Sequence, residues 1–327
     1  MAVAPTVEAV AAAGGPHVPP LLATVEQRLA ELAGGHGEPL ARHGGDTIAA
    51  GGKRLRPLMV LLAAGDAPPD PAPLVRAATA VELVHSATLV HDDVLDAAAL
   101  RRGRPTVVAT AGREMATATG DLLFSRAFAE LVRNRRADQV RVLSAASSAL
   151  AEGELLQRAD AFEANVPLQR YLRRCELKTA RLFEAACRLG ALEAPGPARP
   201  PADQLGAFGR RVGLAFQLLD DVLDVTGPAE RTGKARGTDL LDGTVTLPLI
   251  LARQRDPELA ALDPRSLAGP RQAERVCERI AATGAVEEAR RRALAVAAEA
   301  KAQLPELPGR QRRALELVAD GVVERYS

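Results

Sequence analysis

Residues 74–96 read LVRAATAVELVHSATLVHDDVLD, an apolar run that closes on a cluster of aspartates. Leu74, Ala77, Ala78, Val81 and Val84 recur at three- and four-residue intervals. That is the period of a buried helix face, not the alternation of a strand. On such a helix Asp92 and Asp96 share a face, with Cβ atoms about 5–6 Å apart. Carboxylates this close repel one another unless a cation sits between them. The same pentapeptide DDVLD returns at 220–224, closing LGAFGRRVGLAFQLLDDVLD, where Asp220 and Asp224 again share a face. One such motif alone reads as a solvated acidic helix end. Two identical copies, each interrupting an apolar segment, read as a pair of metal sites. Hard carboxylate oxygens select Mg²⁺ or Mn²⁺ over zinc, and Mg²⁺ commonly combines a few carboxylates with substrate phosphate oxygens.

The rest of the chain has the same helical character. Its 327 residues are 47% hydrophobic but only 2% aromatic, and Ala and Leu recur throughout, which favours packed helices over sheets. Helical spacing reappears through Leu21, Val25, Leu29 and Leu32, and again over 139–157 and 205–225. Pro and Gly clusters at 34–39, 65–73, 195–201 and 305–309 punctuate these segments. The pattern predicts an all-α, single-domain helical bundle over 21–327. Residues 1–20, rich in Ala, Gly and Pro, are expected to be poorly ordered. A net charge of +1 gives no overall field for nucleic acid or an anionic membrane. Cys175, Cys187 and Cys277 have no paired spacing and point to a reducing cytoplasm, not to disulfides or zinc. Apolar runs such as Leu58–Ala64 are too short to span a bilayer, and the first residues lack the pattern of a signal peptide.

A metal site that takes a phosphorylated substrate needs further cations. The chain offers GGKRLRP at 51–57 and Arg101-Arg102-Gly103 just beyond the first acidic motif. Lys53 is not the lysine of a phosphate-binding loop of the GxxxxGK[ST] kind, because Arg54 stands where Ser or Thr is required and Thr47 replaces the first Gly.

In order along the chain, GGKRLRP, HSATLVHDDVLD, RRG, GELLQ, KTA, FQLLDDVLD, GKARGTDL and TLP resemble the signature of the trans-polyprenyl diphosphate synthases of the medium- and long-chain bacterial type, from Gly51 to Pro248. The resemblance implies a helical bundle around a central substrate cavity. It implies a magnesium-dependent prenyltransferase that condenses isopentenyl diphosphate with an allylic diphosphate, head to tail and with trans geometry. By resemblance, Lys53, Arg56, His85 and Arg102 hold isopentenyl diphosphate. Asp92 and Asp96 bind magnesium and Asp220 a further ion, about three ions in all once substrate is bound, with Asp93, Asp221 and Asp224 supporting them. Arg101, Lys178, Thr179, Gln217 and Lys234 contact the allylic diphosphate, and Asp92, Asp96, Asp220, Arg101 and Lys178 form the catalytic set. The family also implies a homodimer that touches the membrane transiently to release product. Ala87 and Thr88 stand about one turn before Asp92, where short-chain relatives carry a bulky aromatic, so a product of about four or more isoprene units is expected. One departure stands out: Thr244 follows Gly243 where the family often has Lys ahead of TLP.

Of the other histidines, His91 either orients Asp92 or packs. Glu82 and His85 form an ExxH of the kind used by di-iron bundles, but no second ExxH exists among the five histidines. A regulatory, non-catalytic subunit would be expected to lose its metal-binding aspartates, and a terpene cyclase generally carries Asn, Ser and Glu in its second motif.

Overall fold

The computed structural model describes residues 6–34, 37–49, 51–101, 103–196, 200–227 and 236–324, and its first described residues are already helical. Helix α1 (Val7–Gly14) starts at Thr6, whose hydroxyl accepts the Ala9 N–H at 3.2 Å, and stops at Gly15 with φ 124°. Val10 and Ala11 are buried, and a Cβ on Gly14 would lie 2.3 Å from Leu62 Cδ2. From Thr6 onward, the stretch expected to be poorly ordered is therefore structured: small side chains let α1 pack closely on α4 (Leu55–Ala64). Between them α2 (Val18–Gly34) buries Val18, Leu21, Val25, Leu29 and Leu32, followed by α3 (Glu38–Ala49).

Helix α5 (Ala72–Leu95) carries the first acidic motif at its C-terminal end. Its stop is a left-handed residue, Ala97 (φ 49°), after which the Ala98 N–H bonds back to Asp93 O at 3.0 Å. This is the helix-ending arrangement in which Gly is usual. A short hairpin follows, Leu100–Arg101 paired with Arg104–Pro105, and is the one sheet among the described residues. Helix α6 (Val107–Val132) packs along α5 and breaks its helical geometry at Gly112 (φ 83°). Then come α7 (Ala137–Ala159), α8 (Leu168–Cys175), a π-turn at Glu176–Ala180, α9 (Arg181–Leu192) and α10 (Ala202–Thr226), which carries the second acidic motif in its last turns. The remainder is α11 (Thr238–Leu241), α12 (Leu247–Arg253), α13 (Pro257–Ala261), α14 (Pro270–Ala282), α15 (Ala285–Ala302) and α16 (Gly309–Glu324). The fold is all-α, as the periodicity predicts, and the described residues of the Pro and Gly clusters fall at helix ends or in the connections.

The chain divides into two compact units. One comprises Met1–Ser147, Leu182–Gly209 and Gln303–Val318; the other comprises Ser148–Arg181, Arg210–Ala302 and Ala319–Ser327. The core of the first is built on α4 and α5, with Leu58, Met59, Leu61, Leu83, Val84, Leu123 and Phe183 fully buried. The core of the second gathers Tyr171, Leu177, Leu218, Leu219, Val222, Leu247, Ile280 and Ala293. No helix among the described residues is long and apolar enough to cross a membrane, and all three cysteines are free and buried.

Close helix approach in the first unit depends on Gly190, where a Cβ would sit 2.1 Å from Val60 O. Gly190→Ala is expected to destabilise the protein by roughly 1–3 kcal/mol through overpacking, more than its gain in helix propensity returns. Denaturant unfolding measures this directly.

Candidate active site

In the first unit a cavity of about 280 Å³ opens beside the acidic end of α5. Glu82, His85, Ser86, Leu89, Val90 and Asp93 line it from α5, a set spaced at three and four residues along one helix face. Arg54, Arg101 and Arg104 bring cationic side chains to the same wall. His85 thus shares the cavity wall with Asp93, whereas Asp92 and Asp96 lie on the neighbouring face: Asp92 is half-buried and Asp96 exposed.

Arg54 is the most heavily engaged cation here. It is only 8% exposed and starts α4 in the left-handed region (φ 47°). Its guanidinium spans Glu26 (Nε to Oε1, 2.5 Å), Glu82 (Nη1 to Oε1, 2.8 Å) and the Ile48 carbonyl (2.9 Å). Burial pushes the Glu82 carboxyl up, and Arg54 and Arg56 pull it back. Glu82 is therefore the partner of a buried arginine, which gives the di-iron alternative no support. Arg56 lies with its guanidinium 4.4 Å over the Phe183 ring, Lys53 is exposed, and the guanidinium Nε of Arg101 donates to buried Asp93 at 2.7 Å. His91 is taken up by α6: its Nε2 is 3.2 Å from Asp121 Oδ1 and its ring stacks on Phe124, which favours the packing reading. Gly120 makes room for that ring.

In the second unit the other acidic motif has the same division of labour. Asp220 is exposed and Asp224 half-buried, while Asp221 is buried. Tyr171 Oη donates to Asp221 Oδ2 at 2.5 Å and Gln217 Nε2 to Oδ1 at 2.7 Å. Thr179 Oγ1 in turn donates to Gln217 Oε1 at 2.7 Å. Burial pushes the Asp221 carboxyl up to about 7, with Asp239 and Asp220 adding to the rise and Tyr171 and Gln217 opposing it. Asp224 accepts the Asp239 N–H at 3.3 Å. Lys178, inside the π-turn, pairs with Glu154. Against the burial that raises it, Lys178 and Arg158 hold the Glu154 carboxyl below the usual range. The π-turn rests on Gly153, where a Cβ would meet Lys178 N at 2.5 Å. Thr244 donates its N–H to Asp239 O at 2.7 Å.

The structure thus brings together Asp92, Asp93, Asp96, His85 and Arg101 in one unit, and Asp220, Asp221, Asp224, Gln217, Lys178 and Thr179 in the other. Arg102 and Lys234 lie outside the described residues. Ala87 is fully buried in α5, and Thr88 is half-buried with its hydroxyl donating to His85 O at 2.8 Å. Sequence reasoning missed Arg54, Tyr171 and Glu154 as organisers of the site. Only Gly153, opening GELLQ, left a readable sign, since a glycine inside a helical pattern needs a packing reason.

Each pair of carboxylates suits a hard divalent cation. Asp92, Asp96, Asp220 and Asp224 present carboxylate oxygens near the C-terminal ends of long helices, where the macrodipole is already negative. Among the described residues no three His, Cys, Asp or Glu side chains close into a cage.

The sequence matches the family described as Polyprenyl synthetase over residues 38–282. It is 44% identical over 243 residues to heptaprenyl diphosphate synthase component 2 of Geobacillus stearothermophilus, covering 74% of this chain and 75% of that one. It is 40% identical over 218 residues to geranylgeranyl diphosphate synthase of Methanosarcina mazei, covering 65% and 67%. The fold superposes on the crystal structure of a polyprenyl synthase from Caulobacter crescentus, complexed with calcium and isoprenyl diphosphate, with a TM-score of 0.92, 35% identity and full coverage of both chains.

Breaking the buried Arg54–Glu82 pair from one side strands a charge. Arg54→Met is expected to cost about 3–5 kcal/mol of stability, read by chemical denaturation. The same substitution at exposed Arg113 serves as the reference and is expected to change stability by no more than about 0.5 kcal/mol.

Proposed function

The chain belongs to the polyprenyl synthetase family, and on that premise we propose that it joins isopentenyl diphosphate to an allylic diphosphate, head to tail with trans geometry. One observation supports this above the rest. Each DDVLD lies at the end of a long helix with its second aspartate buried and its first and last half-buried or exposed. Outward pairs at the negative end of a helix dipole are costly alone and become favourable on binding a cation with a phosphate ester.

In the proposed reaction the allylic carbon–oxygen bond breaks and diphosphate departs. The isopentenyl double bond attacks the allylic cation, and a proton lost from the new chain returns to the released diphosphate. Asp92 and Asp96 would hold magnesium and Asp220 a further ion, with Asp93, Asp221 and Asp224 supporting them, manganese an alternative and about three ions in all. When bound, the ions supply the positive charge that stabilises the departing diphosphate. Lys53, Arg56, His85 and Arg102 hold isopentenyl diphosphate; the 280 Å³ cavity that His85 lines is of a size for such a small ester. Arg101, Lys178, Thr179, Gln217 and Lys234 serve the allylic diphosphate. Arg101 and Gln217 do so while holding Asp93 and Asp221, and Thr244 leaves that diphosphate one lysine short of the usual family pattern. The bound calcium and isoprenyl diphosphate of the Caulobacter crescentus enzyme support a divalent metal with this substrate class.

We place the enzyme in the cytoplasm as a homodimer, with the lengthening apolar product touching membrane on release. Free buried thiols suit the reducing compartment. For product length we propose about four or more isoprene units, because small residues stand at 87 and 88. The heptaprenyl and geranylgeranyl names of its relatives span that range. Since Ala87 is already fully buried, the half-buried Thr88 is the better position for an added floor.

Incubation with labelled isopentenyl diphosphate, an allylic primer and Mg²⁺ is expected to give a polyprenyl diphosphate, and a lack of product with every primer overturns the reading. Asp92→Ala and Asp220→Ala are each expected to lower turnover roughly a hundredfold or more while the protein stays folded by circular dichroism. Turnover within about tenfold of wild type at saturating Mg²⁺ would remove these residues from the metal set.

Thr88→Phe is expected to shorten the product ladder on chromatography, leaving consumption of the first allylic primer intact. Ala87→Phe is expected instead to destabilise the fold by roughly 1–3 kcal/mol. An unchanged ladder from folded Thr88→Phe protein would place the floor elsewhere.

A further inference from the structure

Tyr171 is fully buried, and its hydroxyl donates to a carboxylate that is itself 3% exposed. Asp221 has both oxygens engaged, Oδ2 by Tyr171 and Oδ1 by Gln217. Helix geometry turns each residue by about 100° from the last, so fixing Asp221 inward fixes the direction of its neighbours. Asp220, exposed, and Asp224, half-buried, are then the aspartates left off that inward edge.

The element opposite α10 is shaped for this contact. Tyr171 and Thr179 are eight residues apart. On an uninterrupted α-helix eight residues turn about 800°, leaving Thr179 about 80° away from the Tyr171 face. The π-turn at Glu176–Ala180 takes up an extra residue, so the same span turns about as far as seven α-helical residues, and Thr179 returns to within about 20° of that face. Tyr171 thereby meets Asp221 while Thr179 meets Gln217, one turn earlier on α10. Gly153 provides the close seat for the π-turn. One turn beyond Tyr171, Arg174 Nη2 donates to Val245 O at 2.6 Å, fastening the segment before TLP to the same helix.

We propose that Tyr171 is a positioning residue of the second acidic motif, holding Asp221 inward so that Asp220 and Asp224 keep the outward face on which metal and diphosphate are bound. This rests on the function proposed above. A tyrosine that merely filled the core would be replaced by phenylalanine with no effect confined to α10, because the ring stays and only the hydroxyl goes.

The test is Tyr171→Phe, followed first in metal-free protein by amide hydrogen exchange. Exchange over 217–224 is expected to quicken roughly tenfold or more, while α15 in the same unit keeps its protection. In the assay, turnover is expected to fall roughly ten- to hundredfold, as loss of a hydrogen bond to a charged group does, with KM for isopentenyl diphosphate within about twofold of wild type. In a double-mutant cycle with Asp221→Asn, the Tyr171→Phe effect on exchange is expected to shrink, since the partner is already altered. Unchanged exchange over 217–224, a uniform loss of protection across the unit, or wild-type turnover would each overturn the proposal. Wild-type protein that exchanges as expected yet condenses nothing would instead overturn the assigned reaction, which keeps the two failures apart.

Discussion

A carboxylate turned into a helical core must find a donor there, and each DDVLD turns one inward, its second aspartate lying at the buried edge of the arc of about 100° that the three aspartates span. The two copies meet this demand differently. Asp93 is held by the Arg101 guanidinium, which the short hairpin after α5 folds back toward it. Asp221 is held by neutral donors, Tyr171 and Gln217, and burial raises its carboxyl to about 7. The identical pentapeptide therefore sits in two electrostatic environments, one set by the hairpin next along the chain and the other by the helix packed against it.

The outer aspartates carry a second cost. Near the C-terminal end of a helix the unsatisfied carbonyls already present negative charge, so Asp92, Asp96, Asp220 and Asp224 oppose the dipole as well as one another. A divalent cation bound at either end would relieve both effects. The left-handed conformations of Arg54 and Ala97 belong to the same pattern. Each costs about 1 kcal/mol, and each lies beside the cavity or the acidic motif, held by surrounding hydrogen bonds.

Glycine sets how closely the supporting helices approach. Gly153 seats the π-turn that carries Lys178 and Thr179, and Gly120 admits the His91 ring. Neither residue has a side chain to offer the chemistry, yet a methyl group at either would displace His91, beside the first acidic motif, or Lys178.

What the sequence determined by itself was the local part. Apolar spacing over 74–96 and 205–225 gave helices close to the observed α5 and α10, and the spacing of the aspartates placed their outer pairs on one face. Periodicity reports which side of a helix is apolar because that depends only on residues a few positions apart. The tertiary structure decided what lies far apart in the chain. Tyr171 and Asp221 are separated by 50 residues and Arg54 and Glu82 by 28, and no spacing rule links them. The stop of α5 at Ala97 carries no Gly or Pro, and the packing of α1 on α4 rests on small side chains that composition alone marks as poorly ordered. In these cases the contact depends on which parts of the chain packing brings together, and only the folded chain determines which partner is within reach.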